Sequence, residues 1–474
     1  MKTMTRIFGI MGIVTLVSGP FLIVVLEKEF IGMIAKHKIY RVKKIQFIPF
    51  KPSNFKSQTE ELKEREIQYI EMMNRTIVED NSFYMSYTLD LTHHLQHTFS
   101  TIQGLDTENL SAWRGAHNKY FWNRHMLQSL ISKGMDGFIM PAIRGIVEIA
   151  SCNMNGKVFT FGIVSRTSTK RAGTRYIMRG ADENGYVANF VESEQFAYYD
   201  GVLSAFLQIR GSIPLIWTQE ANLKYTPEIK FLTDKQKQQT AFEKHFQYIL
   251  REYQNNITAV NLCKKTGQES KLSELYTSYV KHIQGVTYNH FDFHNECKNH
   301  DTTKLYTMFL PSIKDSMRNI KYFSCRLQEI YELQNGVFRV NCIDCCDRTN
   351  YIETFIAKYM MMEQLYRMGI TKSRDDKMEN YPAFDQTFRT FWINNGDRVS
   401  VLYSGTEALK FQKSAQGLMN DGFNSVKRYF LNNFKDSERQ KAINLVLGLV
   451  DINSKEEQEE VESPAQIVGD LLTF

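Results

Sequence analysis

Residues 336–354 read GVFRVNCIDCCDRTNYIET, and this stretch decides the fold that we expect for the chain. Its apolar start, residues 337–340, is typical of a short buried strand. Apolar residues then recur at helical spacing from Ile352 to Met362, and Gly369 is a typical C-terminal stop for a helix. A polar loop lies between the predicted strand and helix. The amides of such a loop and the positive end of such a helix bind phosphate.

The loop also contains a candidate nucleophile and a cation at a sequence spacing typical of cysteine-dependent phosphatases. Five residues separate Cys342 from Arg348, which predicts phosphoryl transfer: the cysteine sulfur attacks phosphorus while the planar guanidinium binds the equatorial oxygens. The helix end and the arginine are expected to depress the thiol pKa to ~3.5–7.5. The Thr349 hydroxyl is expected to stabilise the sulfur as a leaving group. No metal and no other cofactor is expected, because arginine and backbone amides supply the positive field.

Two carboxylates in the loop fit this chemistry less well. Asp344 and Asp347 bring negative charge beside an incoming phosphate, which is unfavourable. One of them, if protonated, would serve as the general acid for the leaving alkoxide. Alternatively, one of them caps the helix that follows. The residues alone leave both interpretations open.

The cysteines allow further interpretations. Seven cysteines, odd in number and clustered late in the chain, argue against a secreted disulfide scaffold and favour a reducing compartment. Cys345 and Cys346 are by default small core residues. Together with Cys342 and Cys325 they could ligate zinc, although adjacent cysteines are poor co-ligands. Oxidation could also join Cys342 to Cys345 in a protective disulfide.

Composition limits the class of protein. The chain has 474 residues, too many for one ordinary domain. Hydrophobic residues make up 43% and charged residues 23%, which is close to the globular average and excludes a disordered chain, a collagen-like fibre or a multi-span membrane protein. A net charge of +6 does not demand nucleic acid, but it permits an anionic partner on one face.

Residues 7–26 form an uncharged N-terminal run with two interpretations. Twenty such residues are long enough for a transmembrane helix. A turn signal at Ser18 to Pro20 divides the run, however, and favours a pair of buried strands. Further along, the pattern predicts a strand within residues 37–50, a hairpin turn at residues 153–156 and a helix within residues 233–255.

An acid-free segment spans residues 149–181. It contains six basic residues, namely Lys157, Arg166, Lys170, Arg171, Arg175 and Arg179. A run of this kind is most often a solvated face. Here it could also contact an anionic headgroup or an anionic leaflet, where each basic residue near the surface contributes about 1 kcal/mol.

The phosphate-loop motif resembles that of a known family. RVNCIDCCDRTN, residues 339–350, is similar to RTNCIDCLDRTN, the signature of the Sac-domain phosphoinositide phosphatases. Val340 and Cys346 stand where Thr and Leu are usual. Other blocks resemble that family in the same order along the chain: residues 7–26, 90–93, 165–195, 210–214, 291–294, 395–397, 403–406 and 417–434.

The resemblance implies an α/β fold in two parts. A strand-rich N-terminal Sac subdomain, residues 1–180, is expected to pack on an α/β catalytic domain, residues 181–450, that carries the cysteine-phosphatase loop. Residues 451–474 are expected to form an acidic tail, and residues 7–26 to be core strands. No transmembrane anchor is expected after the catalytic part of this chain.

The resemblance also implies an activity: removal of a monophosphate from the inositol ring of a phosphoinositide, with phosphatidylinositol 4-phosphate favoured. The expected catalytic residues are Cys342, Arg348, Asp344, Asp347 and Thr349. The expected substrate-binding residues are Lys170, Arg171, Arg175, Arg179 and Asn341.

The resemblance places the enzyme on the cytosolic face of internal membranes, with the endoplasmic reticulum or Golgi favoured. Its expected partners are a phosphoinositide in an anionic membrane and a membrane-recruiting protein, with no nucleic acid. The alternatives are a non-catalytic phosphoinositide-binding scaffold with a Sac fold and a phosphatase for phosphotyrosine. The usual phosphotyrosine-phosphatase loop, HCxxGxxR, carries a glycine that is missing here.

Overall fold

A computed structural model describes most of the chain. The described residues are 5–56, 58–101, 112–219, 228–298, 301–327, 329–408, 436–450 and 452. They fold into a mixed α/β structure around one large sheet, as predicted from the family resemblance.

The strands follow one another along the chain with few interruptions at first and with helices between them later. They are β1 (Gly9–Leu16), β2 (Gly19–Ile34), β3 (His37–Pro49), β4 (Phe83–Met85), β5 (Ala142–Met154), β6 (Lys157–Thr167), β7 (Val191–Tyr199), β8 (Val202–Arg210), β9 (Trp217–Thr218), β10 (Lys230–Phe231), β11 (Ile257–Asn261), β12 (Val286–His290), β13 (Phe323–Arg326), β14 (Glu329–Glu332) and β15 (Val337–Asn341). The α-helices are α1 (Pro52–Lys56), α2 (Glu60–Asn74), α3 (Leu95–Thr101), α4 (Arg124–Ser132), α5 (Lys235–Glu252), α6 (Gln268–Val280), α7 (Phe293–Glu296), α8 (Leu310–Ile320), α9 (Asp347–Arg367) and α10 (Pro382–Ser404).

The N-terminal uncharged run forms strands. β1 and β2 pair as an antiparallel hairpin whose turn falls at the predicted Ser18 to Pro20 signal. Side chains of β2 such as Phe21, Ile23 and Val25 are buried in a core cluster shared with α2. The strand interpretation is therefore confirmed, and the transmembrane-helix interpretation is wrong. No helix in the described part of the chain combines the length and the apolar character that crossing a membrane requires.

Thirteen of the described strands form one sheet that changes character along its width. From β1 to β8 each strand pairs antiparallel with the next. Beyond β8 the order is β15, β11 and β12, and these strands run parallel to one another and to β8. The carboxyl ends of four parallel strands therefore meet at one edge, which is where α/β sheets bind their ligands.

Local sequence signals explain several of these elements. At the turn from β5 to β6, Asn155 and Gly156 both adopt positive φ, as a two-residue hairpin requires, so the predicted hairpin is confirmed. The predicted helix within residues 233–255 is α5, whose first turn is capped by the Asp234 carboxylate. The predicted helix after the cysteine loop is α9, and Gly369 follows it with φ +68°.

The block at residues 395–397 lies in α10, where that helix packs against α9. A Cβ on Gly396 would lie 2.5 Å from Nδ2 of Asn350 in α9, so only glycine allows this close approach. The neighbouring Asn395 Oδ1 accepts a 2.6 Å hydrogen bond from the Ser165 hydroxyl of β6. This block of the resemblance therefore has a packing role.

The predicted domain division near residue 180 falls in the connection between β6 and β7. These two strands pair with each other from Thr160↔Tyr198 to Thr167↔Val191, so the sheet is continuous on both sides of the connection. The division into residues 1–180 and 181–450 stays a prediction. Apart from Ile452, the predicted tail and the block at residues 417–434 lie outside the described residues.

A buried charge network joins the centre of the sheet to α5. The Arg166 guanidinium of β6 donates to Glu192 Oε2 at 3.3 Å and to Glu194 Oε2 at 2.9 Å, both on β7. Its Nε donates to the Leu91 carbonyl at 2.6 Å. The Tyr253 hydroxyl donates to Glu192 Oε1 at 2.6 Å. The side chains of Arg166, Glu192 and Glu194 are only 1–2% exposed. Each charge is therefore stabilised by its partners and not by water.

Replacing Arg166 with Met is expected to lower the free energy of unfolding by about 3–5 kcal/mol, because Glu192 and Glu194 would remain buried without a counter-charge. Urea unfolding followed by tryptophan fluorescence measures the change. Arg41→Met is the matched control: it breaks the half-exposed pair between Arg41 and Glu29 and should cost about 1 kcal/mol or less. Equal losses in the two variants would contradict the structural role of the buried network.

Candidate active site

The loop from β15 to α9 is shaped by contacts from neighbouring elements. It contains no glycine, yet Cys345 adopts φ +56°. The Cys345 thiol donates to the Gly211 carbonyl at 3.1 Å, and Arg210 Nη1 donates to the Cys345 carbonyl at 3.3 Å. Asn189 Nδ2 donates to the Asp344 carbonyl at 3.0 Å. Groups at the end of β8 and just before β7 therefore impose the left-handed turn that glycine would otherwise provide.

The thiol predicted as nucleophile lies inside this loop. Cys342 is fully buried, and its Sγ donates to Asp344 Oδ1 at 3.2 Å. Burial raises the pKa of Cys342, and the Asp344 carboxylate raises it further. Arg348 and the neighbouring Thr349 hydroxyl act in the opposite direction but do not overcome these effects. The prediction of a depressed thiol pKa is therefore wrong for this arrangement of the loop.

Asp344 is a carboxylate in this arrangement. Burial favours a higher pKa for Asp344, but the positive charges of Arg175, Arg348 and Arg179 outweigh burial and lower the pKa. Oδ1 also accepts the Cys346 amide at 3.2 Å, and Oδ2 lies 3.8 Å from Arg175 Nη1. These charges favour the carboxylate form of Asp344 over the protonated form. Its carboxylate is the anion that the loop and the arginines hold.

Arg348 is held from behind by a carboxylate. Its Nη1 and Nη2 donate to Glu269 Oε2 at 2.9 Å and Oε1 at 3.1 Å, and Nη1 also reaches the Leu262 carbonyl at 3.3 Å. Glu269 lies in the first turn of α6. Sequence reasoning missed this residue because 79 positions separate it from Arg348 and no motif marks it.

Two of the predicted basic residues also reach the loop. Arg175 and Arg179 both act on the Asp344 carboxylate. Arg179 is buried, and its guanidinium donates to the Ile343 carbonyl at 3.1 Å and to Gln219 Oε1 at 2.9 Å. These contacts fix a positive charge beside the loop.

The other four basic residues of the acid-free segment have other surroundings. Arg171 donates to the carbonyls of Arg179 and Gly180, and the Lys170 ammonium lies 5.8 Å from the centre of the Tyr186 ring. Arg166 belongs to the buried charge network, and Lys157 donates to the Gly369 carbonyl after α9. The segment is therefore not one uniform basic face.

The remaining predicted site residues occupy different positions. Asn341 is buried at the end of β15, where it accepts from Arg339 Nη1 and donates to Asn261 Oδ1, both at 2.8 Å. Thr349 is buried beside the Cys342 sulfur. Asp347 begins α9, where a carboxylate is favourable at the helix N-terminus. Substrate contact through Asn341 and catalysis by Thr349 and Asp347 stay predictions.

The zinc interpretation gains no support from the described residues. No group of three or more His, Cys, Asp and Glu side chains among them could hold a metal ion. Cys325 and Cys342 belong to different core clusters. All seven cysteines are free thiols, and a disulfide between Cys342 and Cys345 stays a prediction.

The strand, the cysteine loop, the helix and the surrounding arginines define a mixed α/β protein with positive charge gathered around a cysteine loop. Comparison with known proteins identifies the class more closely. The sequence profile of the SacI homology domain matches residues 8–298. The chain belongs to the family of Sac-domain proteins, and the predicted resemblance is confirmed.

Several curated relatives cover most of the chain. It is 35% identical over 451 residues to "Phosphoinositide phosphatase SAC6" of Arabidopsis thaliana, which covers 93% of this chain and 75% of the relative. It is 34% identical over 459 residues to "Phosphatidylinositol-3-phosphatase SAC1" of Drosophila melanogaster, covering 95% and 76%. "Phosphatidylinositol-3-phosphatase SAC1-B" of Danio rerio is 31% identical over 452 residues, covering 93% and 76%.

Replacing Asp344 with Asn is expected to speed alkylation of Cys342, because one of the charges that raise the thiol pKa is removed. The alkylation rate should rise about 3- to 10-fold at pH 7 and its pH profile should shift to lower pH. Iodoacetamide labelling with mass spectrometry of the Cys342 peptide measures both. Asp347→Asn is the control, because its charge acts on Cys346. An unchanged profile in Asp344→Asn would contradict the electrostatic origin of the raised pKa.

Proposed function

We propose that the protein is a phosphoinositide phosphatase that removes a monophosphate from the inositol ring through a cysteinyl-phosphate intermediate. One observation carries the proposal: Cys342 lies in the loop at the carboxyl end of β15, and the charges of Arg175, Arg179 and Arg348 converge there on one carboxylate. Relatives across most of the chain are named phosphoinositide phosphatases, which supports the substrate class.

The first chemical step starts from the hydrogen bond between Cys342 and Asp344. An incoming phosphate brings like charge to Asp344 and raises the pKa of its carboxyl. The thiol proton then moves from Sγ to Oδ1 across the existing 3.2 Å contact. The thiolate attacks phosphorus, the S–P bond forms and the bond from phosphorus to the inositol oxygen breaks. The leaving alkoxide takes the proton from Asp344, or from Asp347 as the second candidate for general acid.

The second step releases phosphate. Water attacks the phosphorus of the cysteinyl phosphate, the S–P bond breaks and Cys342 leaves as a thiolate. The Thr349 hydroxyl beside the sulfur stabilises that charge. Arg348 binds the equatorial oxygens in both steps and supplies positive charge where negative charge is present. We propose phosphatidylinositol 4-phosphate as the favoured substrate on the basis of the family resemblance.

A second candidate function is phosphoinositide binding without catalysis. The raised pKa of the Cys342 thiol and the Asp344 carboxylate inside the loop favour it, because a neutral thiol is a poor nucleophile. The loop then binds the headgroup phosphate in exchange for the carboxylate and performs no covalent step. An activity assay separates the two candidates.

Phosphate release from short-chain phosphatidylinositol monophosphates tests the proposal. The wild type should release phosphate with and without EDTA, with the 4-phosphate hydrolysed fastest. Cys342→Ser should lose on the order of 10³-fold or more, because the nucleophile is removed. Cys346→Ser changes another thiol of the same loop and is the control, which should keep its activity.

Three outcomes would count against parts of the proposal. Activity retained by Cys342→Ser would refute the nucleophile. Activity lost on chelation would refute a metal-free mechanism. Binding of phosphoinositide vesicles without phosphate release by the wild type would favour the non-catalytic candidate.

A lipid substrate also requires contact with a membrane, and the connection between β6 and β7 offers a surface beside the loop. Ile177 is 46% exposed there, between the site residues Arg175 and Arg179, and Lys170 is exposed on the same connection. An exposed apolar side chain with basic neighbours suits an anionic interface. We therefore propose that this surface contacts an anionic membrane. On the basis of the family resemblance, we also propose action on the cytosolic face of internal membranes, with the endoplasmic reticulum or Golgi favoured and with a recruiting protein as a partner.

Replacing Ile177 with Asp is expected to weaken binding to vesicles containing phosphatidylserine about 5-fold or more, because it replaces an apolar contact with a charge that the leaflet repels. Hydrolysis of short-chain substrate should change less than 2-fold. Val158→Asp is the matched control: Val158 is 60% exposed at the opposite end of β6. Equal vesicle binding by the wild type and Ile177→Asp would contradict this orientation.

A further inference from the structure

Arg348 and Glu269 form a bidentate ion pair, and a backbone amide also binds the Glu269 carboxylate. Both carboxylate oxygens of Glu269 accept from the arginine, and Oε2 also accepts the Lys264 amide at 2.9 Å. The two side chains are only 19% and 17% exposed. Water therefore screens this pair weakly, and its geometry is bidentate, which is the arrangement that gives arginine pairs direction as well as energy.

The ion pair with Glu269 occupies one edge of the Arg348 guanidinium and leaves a second edge available to bind a ligand. Glu269 takes the end of the group, formed by Nη1 and Nη2, and the Leu262 carbonyl accepts the second Nη1 hydrogen. The donors left over are Nε–H and the second Nη2 hydrogen, which no described hydrogen bond uses. These two donors share the side edge of the guanidinium and form a fork that matches two phosphate oxygens. Glu269 can therefore hold Arg348 while Arg348 holds a phosphate.

A chain of buried hydrogen bonds ties Glu269 to the catalytic strand. Asn341 at the end of β15 donates to Asn261 Oδ1 at 2.8 Å, and Asn261 at the end of β11 donates to Ser273 Oγ at 3.1 Å. Ser273 lies one helical turn after Glu269 in α6. The carboxylate is thus placed on a helix whose position is fixed relative to the cysteine loop.

We propose that Glu269 is a positioning residue for phosphoryl transfer: it fixes the guanidinium of Arg348 with its side edge towards the phosphate. The inference deepens the proposed function and rests on it. A long, flexible arginine side chain loses rotamer entropy when it is ordered. An ion pair that orders it before the substrate arrives removes that cost from binding and reaction.

The competing arrangement makes the opposite prediction. If phosphate needed the same edge as Glu269, the carboxylate would compete with the substrate for Arg348. Removing its charge would then strengthen anion binding and raise activity. The sign of the change in a variant without the charge therefore decides between positioning and competition.

The first experiment measures kcat and KM on short-chain phosphatidylinositol 4-phosphate for Glu269→Gln, Glu269→Asp and Glu274→Gln. Glu269→Gln removes the charge at constant size and should lower kcat about 10- to 100-fold and raise KM about 5-fold or more, because both binding and reaction lose the ordered guanidinium. Glu269→Asp keeps the charge but is one methylene shorter, and its kcat should lie between Gln and wild type. Glu274→Gln, an exposed carboxylate of the same helix, should match the wild type.

The second experiment needs no turnover. Inorganic phosphate in the loop should protect Cys342 from iodoacetamide, and the concentration for half-protection reports anion binding by Arg348. This concentration should rise about 5-fold or more in Glu269→Gln and stay unchanged in Glu274→Gln. Circular dichroism and thermal unfolding check that each variant is folded. If Glu269→Gln does not fold, Glu269→Asp decides, with weaker protection expected.

Separate results overturn the inference and the proposed function. Unchanged or higher kcat, or tighter protection by phosphate, in Glu269→Gln would refute positioning, and so would a wild-type kcat together with wild-type protection in Glu269→Asp. Absence of phosphate release from any phosphoinositide by the wild type would refute the proposed function, whereas dependence of phosphate protection on Glu269 would still uphold the role of Glu269 in orienting Arg348.

Discussion

The buried ion pair between Arg210 and Glu353 connects the three parts of the structure that form the site. Arg210 ends β8, Glu353 lies in α9, and neither side chain is exposed. Breaking such a pair leaves a buried charge without a partner, which typically costs about 3–5 kcal/mol. Because the same guanidinium also donates to the Cys345 carbonyl, it fixes sheet, loop and helix together. The loop therefore inherits the rigidity of the protein core.

The site is electrostatically unusual because it places carboxylates where the proposed function requires an anion to bind. Asp344 and Glu269 each face arginines: Asp344 lies among Arg175, Arg179 and Arg348, and Glu269 binds Arg348 directly. Negative charge is therefore compensated before any ligand arrives. Under the proposed function, an entering phosphate would exchange partners within this set instead of meeting uncompensated positive charge. Such preorganisation spares the reorganisation that solvent would require.

Local signals in the sequence predicted much of the fold. The turn residues of the β5–β6 hairpin and the periodicity of α5 and α9 are encoded within a few residues of where they act. The run at residues 7–26 was ambiguous, because absence of charge does not distinguish a helix from two strands, and only the family resemblance decided it. Buried packing by Phe21 and Ile23 provides the physical reason.

The electrostatics of the site could not be predicted in the same way. The cysteine spacing identified Cys342 and Arg348, but the ionisation of Asp344 also depends on Arg175 and Arg179, which are more than 160 positions away in the chain. No sequence motif marks Glu269, because its contact with Arg348 exists only after α6 and α9 have come together in the folded chain. Contacts of this range are visible only when the chain is folded.

The connection between β6 and β7 allows the charge around the site to change without a change in the pairing of the strands. It leaves and re-enters the sheet between two adjacent strands whose ladder is complete from Thr160 to Thr167, and it carries Arg175 and Arg179 to the loop. Changes in its tip leave the register of the strands untouched. The charge and shape around the candidate site can thus diverge during evolution while the sheet stays constant.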